Sequence, residues 1–166
     1  EDDYSADNST AGSVNVGSSI TGEIESDWST SLSPNSGDQD WFAINLIEGV
    51  TYQFDQIGNT LSDPYLHLRD PSGTQIRADD NNGDGNNSRI VYTAESTDRY
   101  FLNASAAVNP STSKHFTGTY TISTRRWEDD YSADNSTAGS VNVGSSITGE
   151  IESDWSTSLS PNSGDQ

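Results

Sequence analysis

The sequence predicts an all-β chain whose antiparallel strands pack as a two-sheet β-sandwich. Three observations predict it. Apolar residues recur at every second position and not with the helical period. They do so in runs of four to eight residues, rich in β-branched and aromatic types and bounded by Gly, Asn, Asp, Ser or Pro. No eleven-residue window carries a helical stripe.

The elements follow in chain order. Val14–Val16 and Ile20–Ile24 are short strand candidates with weak alternation. Phe42, Ile44 and Leu46 alternate with Ala43 and Asn45, and after the turn signal Glu48–Gly49 come Tyr52 and Phe54. Leu66 and Leu68 flank His67, which the alternation sends outward. Gln75–Ala78 is a further weak strand. The pairs Ile90 and Tyr92, Tyr100 and Leu102, and Tyr120 and Ile122 continue the pattern. Eight or nine short strands result, with inward residues enough for one core. Ser29–Gly37 and Asn81–Ser88 read as polar loops between them.

An internal repeat sets the organisation. Residues 128–166 copy residues 1–39 letter for letter, at an offset of 127 residues. The expected layout is one complete β-sandwich repeat at 1–127, opening with an acidic linker at 1–12, and the incomplete start of an identical repeat at 128–166. Glu1 is preceded by neither an initiator Met nor a leader, so the chain reads as an internal piece of a longer tandem array. The copy also raises the question of exchange, because 128–166 could take the place of 1–39 on another molecule.

Charge narrows the function. The 166 residues carry a net charge of −19. Residues 1–39 hold eight acids and no base, and their copy holds the same, whereas 40–127 hold ten acids against seven bases. Such a surface repels phosphate backbones and excludes nucleic acid as a partner. No apolar stretch is long enough to insert as a membrane helix. Without Cys there is neither a disulfide framework nor a thiolate metal site.

Five motifs carry a family resemblance. They are Asp40-Trp-Phe-Ala-Ile-Asn-Leu-Ile-Glu-Gly-Val-Thr-Tyr-Gln-Phe54; Ser62-Asp-Pro-Tyr-Leu-His-Leu-Arg-Asp-Pro-Ser-Gly73 followed by Asp79–Asp80; Ser88-Arg-Ile-Val-Tyr-Thr-Ala94; Arg99-Tyr-Phe-Leu102; and Gly118-Thr-Tyr-Thr-Ile122. In order and spacing, over about residues 1–124, they resemble the bacterial pre-peptidase C-terminal domain family. The resemblance implies a jelly-roll-like sandwich and a non-catalytic accessory domain outside the cell. It does not fix a ligand, and no peptidase adjoins the domain in this sequence.

Calcium is the cofactor these residues suggest, since Ca²⁺ takes six to eight oxygen ligands. A first cluster gathers Asp2, Asp3 and Asp7 of the linker with Glu23, Asp38 and Asp40, and Glu1 and Asn8 could join it. The resemblance implies this arrangement, because calcium-binding relatives in secreted collagenases join an acidic linker to the loop before the aromatic strand. Glu23 stands where those relatives carry a smaller polar residue. A solvated acidic surface is the alternative. A second cluster is Asp79, Asp80 and Asp84 in Asp79-Asp-Asn-Asn-Gly-Asp-Gly-Asn-Asn-Ser88, with Asp63 and Asp70 as candidate neighbours. It lacks the acid at position twelve of an EF-hand, where Ile90 stands. A polar β-turn explains the same residues, and both readings stand.

No enzymatic machinery stands out. His67 and His115 are the two imidazoles, and no nucleophile elbow, zinc-binding helix or phosphate loop is present. Trp28 is the candidate stacking residue for a glycan or matrix protein; Trp41, Trp127 and Tyr4 are more readily read as packing. The expectation is therefore a non-catalytic, calcium-binding extender module of a bacterial surface adhesin. Its partners would be the neighbouring identical repeats. The alternatives are a glycan- or matrix-binding module, or an accessory domain of a secreted hydrolase.

Overall fold

Ten strands make up the described part of the chain: β1 (Ser19–Ile24), β2 (Asp40–Leu46), β3 (Thr51–Gly58), β4 (Pro64–Arg69), β5 (Gln75–Asp79), β6 (Ser88–Thr93), β7 (Asp98–Ala106), β8 (Val108–Asn109), β9 (Lys114–His115) and β10 (Gly118–Arg126). The structure is a computed structural model and describes residues 4–26, 37–127, 143–146 and 148. Among the described residues there is no helix. The chain divides into two units, Glu1–Arg126 and Trp127–Gln166.

In the first unit two antiparallel four-stranded sheets face each other. One has the order β1-β10-β3-β6 and the other β2-β7-β4-β5, with β8-β9 as a small separate ribbon. Consecutive strands repeatedly change sheet, and these two orders are those of a jelly roll built from two Greek keys. The alternation expected from the sequence is the alternation of burial. Phe42, Phe54, Leu66, Leu68, Leu102, Tyr120 and Ile122 are all fully enclosed between the sheets. Their period places every second side chain on the inner face.

Three expectations change. Val14–Val16 is not a strand: it makes one parallel bridge, Ser13 to Ala43, and its backbone bonds to Ala43 on β2. Strands β2 and β7 are buried on both faces, so Trp41, Ala43 and Phe101 form a second, smaller apolar cluster outside the sandwich core. The stretch expected as linker as far as Gly12 is, from Tyr4 onward, packed against the sandwich. The Tyr4 ring lies 4.6 Å from Phe42, Thr10 donates its hydroxyl to the Trp41 carbonyl at 2.8 Å, and Ala43 N–H donates to the Gly12 carbonyl at 2.9 Å. A polar sequence can be held this way because its backbone supplies the bonds. A Cβ at Gly12 would collide with the Trp41 carbonyl, so only glycine allows this approach.

In the second unit, the described residues Val143–Ser146 contain a turn with Gly144 at φ 85°. Its counterpart, Gly17, has φ 86°.

Candidate functional site

The first acidic cluster is only partly assembled. Asp2 and Asp3 lie outside the described residues, as does Trp28. Asp38 and Asp40 both approach the β1–β10 edge. Asp38 accepts from the Glu25 N–H at 2.8 Å. Asp40 is fully buried on β2 and accepts from the Tyr120 hydroxyl at 2.5 Å. Asp7 is elsewhere engaged: its carboxylate accepts from the Ser9 N–H at 2.7 Å and the Ser9 hydroxyl at 2.5 Å. The hydroxyl bond first, and then the backbone bond, hold its pKa below the usual value. Glu23 does not join. Ile24 and Gly22 flank it; Ile24 is buried and Gly22 abuts Tyr120, so the strand's period turns Glu23 to solvent.

The second cluster has a different membership from the expected one. Asp79, at the inner end of β5, closes the loop to β6. It accepts from the Asn82 N–H at 3.0 Å, the Asn82 amide and the Arg89 N–H at 2.8 Å. Asp84 is exposed, and its backbone carbonyl receives the Asn87 N–H in the turn. Asp70 serves the β4–β5 turn: Oδ1 accepts from Ser72 N–H, Ser72 hydroxyl and Thr74 N–H at 2.6–2.9 Å. Those bonds, the Ser72 hydroxyl first, lower its pKa.

Asp63 and Asp80 are linked by charge. Asp63 ends the β3–β4 connection, whose neighbour Pro64 accepts the Ser88 hydroxyl at 2.9 Å; the same hydroxyl lies 3.3 Å from the Asp80 carbonyl. Oδ1 of Asp63 and Oδ1 of Asp80 are both buried, and neither has a hydrogen-bond partner. Burial raises the pKa of Asp80, and the charges of Asp63 and then Asp79 raise it further. Two carboxylates within range of each other's charge thus each keep a donor-less oxygen. A cation between them would relieve both desolvation and repulsion. Among the described residues no three His, Asp or Glu side chains converge tightly enough to hold a metal by themselves. Any cation here would take its remaining oxygens from backbone carbonyls, amides or water.

The aromatic candidates are packed. Trp41 lies 5.7 Å from Phe101 with the Arg69 guanidinium 4.5 Å above its ring, and the Arg99 guanidinium lies 5.2 Å from the Phe101 ring. Tyr4 is half-buried against the core and Trp127 is half-buried. Sequence reasoning missed this outer arrangement of Trp41, Phe101, Arg69 and Arg99. The available signal was the adjacent aromatics in Trp41–Phe42 and Tyr100–Phe101, which mark strands covered on both faces.

A known family matches the strands that carry these features. Residues 38–106 match the family model of the bacterial pre-peptidase C-terminal domain. No curated protein sequence matches the chain. Among solved structures, similarity extends to the pre-peptidase C-terminal domain of a collagenase from Bacillus anthracis, with 14% identity over 68% of this chain and 92% of that one and a TM-score of 0.48. It extends also to Aeromonas hydrophila PliG, a periplasmic inhibitor of g-type lysozyme, with 12% identity over 68% and 96% of the two chains and a TM-score of 0.39.

The segment matching the pre-peptidase C-terminal family contains Asp63, Asp79 and Asp80, and also His67. As expected, His67 points away from the core, on the outer face of β4. Its Nε2 lies 3.0 Å from the Ser105 hydroxyl and its Nδ1 2.8 Å from the Gln75 side chain. Ser105 gives its one hydroxyl hydrogen to the Tyr65 carbonyl, so it accepts from Nε2–H. Gln75 Oε1, facing Nδ1, can accept only from a protonated Nδ1 and so favours the charged ring. Burial lowers the His67 pKa below 6.5, the Gln75 bond opposes that, and Arg69 adds to the lowering. A histidine depressed in the folded state stabilises above the unfolded pKa, and the contribution is lost as pH falls through the folded value. The melting temperature should therefore drop more between pH 7.5 and 5.5 in the unaltered protein than in His67→Gln. Equal drops in thermal scans would remove His67 from the account.

Proposed function

We propose that the chain is a non-catalytic, calcium-stabilised β-sandwich module repeated in tandem in an adhesin-like protein outside a bacterial cell. The observation that carries the calcium reading is that Asp63 and Asp80, whose charges are close enough for Asp63 to raise the Asp80 pKa, each keep a buried oxygen without a hydrogen-bond partner. The match to the pre-peptidase C-terminal family supports the non-catalytic and extracellular parts. It also accommodates an accessory domain of a secreted peptidase.

The identical copy at 128–166 supports the array. The packing of the segment from Tyr4 onward supports an extender role, because an identical repeat packed in the same way would have only residues 127–130 between it and a strand ending at Arg126. Short connections of this kind keep successive domains from reorienting freely.

Extracellular modules bind Ca²⁺ with dissociation constants of about 0.1–1 mM. At the tighter end, 1 mM Ca²⁺ adds about 1.4 kcal/mol, or roughly 5 °C in melting temperature. Asp80→Asn should separate the two terms. Because the Asp80 pKa is raised, its ionised form costs stability as pH rises through that value. The variant should therefore melt higher than the unaltered protein in chelator and gain nothing from Ca²⁺. A calcium shift that survives Asp80→Asn would move the ion away from this pair. No shift in the unaltered protein would end the calcium reading.

A further inference from the structure

The sandwich has one place for an edge strand beside β10, while the chain carries two sequences that fit it. In the first unit that place holds residues 4–24. β1 pairs with β10 over six residues, from Ser19 opposite Ser123 to Ile24 opposite Gly118. Gly17 N–H donates to the Thr124 carbonyl and Thr124 N–H to the Ser18 carbonyl, both at 3.0 Å. Val14 and Ile24 are buried in the main core, and Tyr4 covers Phe42. The packing of Tyr4, Gly12, Val14, Gly17 and Ile24 depends only on residues that recur as Tyr131, Gly139, Val141, Gly144 and Ile151.

Two further observations concern the copy itself. Gly144 has a left-handed φ of 85°, as Gly17 has one of 86°. Val143 is fully exposed, whereas its counterpart Val16 packs against the core. In the described part of the copy, the glycine turn recurs and Val143 is left exposed.

We propose that the β10 edge and the adjoining β2 backbone form a docking site for residues 131–151 of a second copy of this chain. That segment takes the place of 4–24 by strand exchange. The chain's own tail is the weaker occupant. Tyr4 sits near the Tyr120 end of β10, and Arg126 lies six residues further on, roughly 20 Å at strand rise. The five residues from Arg126 to Tyr131 extend at most about 18 Å. A second molecule has no such restriction. For intact chains, every bond broken when 4–24 is released is remade when 131–151 docks, so exchange is close to neutral. A lesion in the first segment makes it downhill. Calcium plays no part in this exchange.

The test uses the full chain with Ile24→Asp, Ile151→Asp and the double variant, read by thermal melting and light scattering over a concentration series. Ile151→Asp should melt as the unaltered protein does. Ile24→Asp should form dimers and longer head-to-tail species as concentration rises, with its melting temperature climbing toward the unaltered value. The double variant should melt low, without assembly, at every concentration. Ile24→Asp melting as low as the double variant throughout would overturn the proposal, as would its recovery while strictly monomeric.

Discussion

Phe42→Ala is expected to lower the free energy of unfolding by about 3–5 kcal/mol, the range for truncating a buried phenylalanine. The upper half of that range applies, because Phe42 joins three parts of the fold. It is fully enclosed on β2, it meets the edge of Tyr120 from the opposite sheet at 6.5 Å, and it carries Tyr4 of the N-terminal segment at 4.6 Å. Its loss leaves a void that flanking strands cannot close, since β2 is held over seven residues by β7. It also removes the surface on which Tyr4 rests. Equilibrium denaturation in urea measures the loss. Tyr4→Ala provides the comparison: it should cost markedly less, because Tyr4 is only half-buried. If the two variants lose equal stability, the core role assigned to Phe42 is wrong and its effect comes from releasing the segment.

The prominence of Phe42, Leu66, Leu102 and Tyr120 could be read directly from the chain, because in a strand the side-chain period is two and each alternation reports a face. The same rule is silent on why Trp41, Ala43 and Phe101 are buried, because it does not register that the outer face of β2 and β7 is itself covered. The segment from Tyr4 to Gly12 looked like linker because it is acidic and small in side chain. Its attachment runs through the single ring of Tyr4, backbone groups of Gly12 and one hydroxyl, too few apolar side chains to show as an alternating run.

The carboxylates divide along similar lines. The family resemblance groups Glu23 with Asp38 and Asp40, yet its parity against the buried Ile24 turns it outward. The Asp63–Asp80 pairing depends on a connection meeting a loop 17 positions later, through the adjacency of β4 and β5. Linear spacing favoured Asp84, which shares a loop with Asp80 but stays exposed. The β4–β5 pairing brings the two ends together, which is why Asp63 could be named as a neighbour from the sequence while Asp84 could not be set aside.

The other large effect is expected at Tyr120→Phe, with a loss of about 1.5–3 kcal/mol, the range for hydrogen bonds to charged groups. The ring is retained, so no cavity forms, and the loss isolates the bond to the buried Asp40 carboxylate. Glycine at position 22 makes room for that hydroxyl: a Cβ there would sit on it. A double-mutant cycle with Asp40→Asn should give a coupling energy of about 1 kcal/mol or more, as interacting neighbours do. Such a coupling would mark Asp40 as a structural carboxylate whose partner is a tyrosine on the opposite sheet. The acids available to a cation at that edge would then reduce to Asp38 and the linker. A coupling near zero, together with a calcium shift that survives Asp80→Asn, would reverse the assignment and return the ion to the β1–β10 edge.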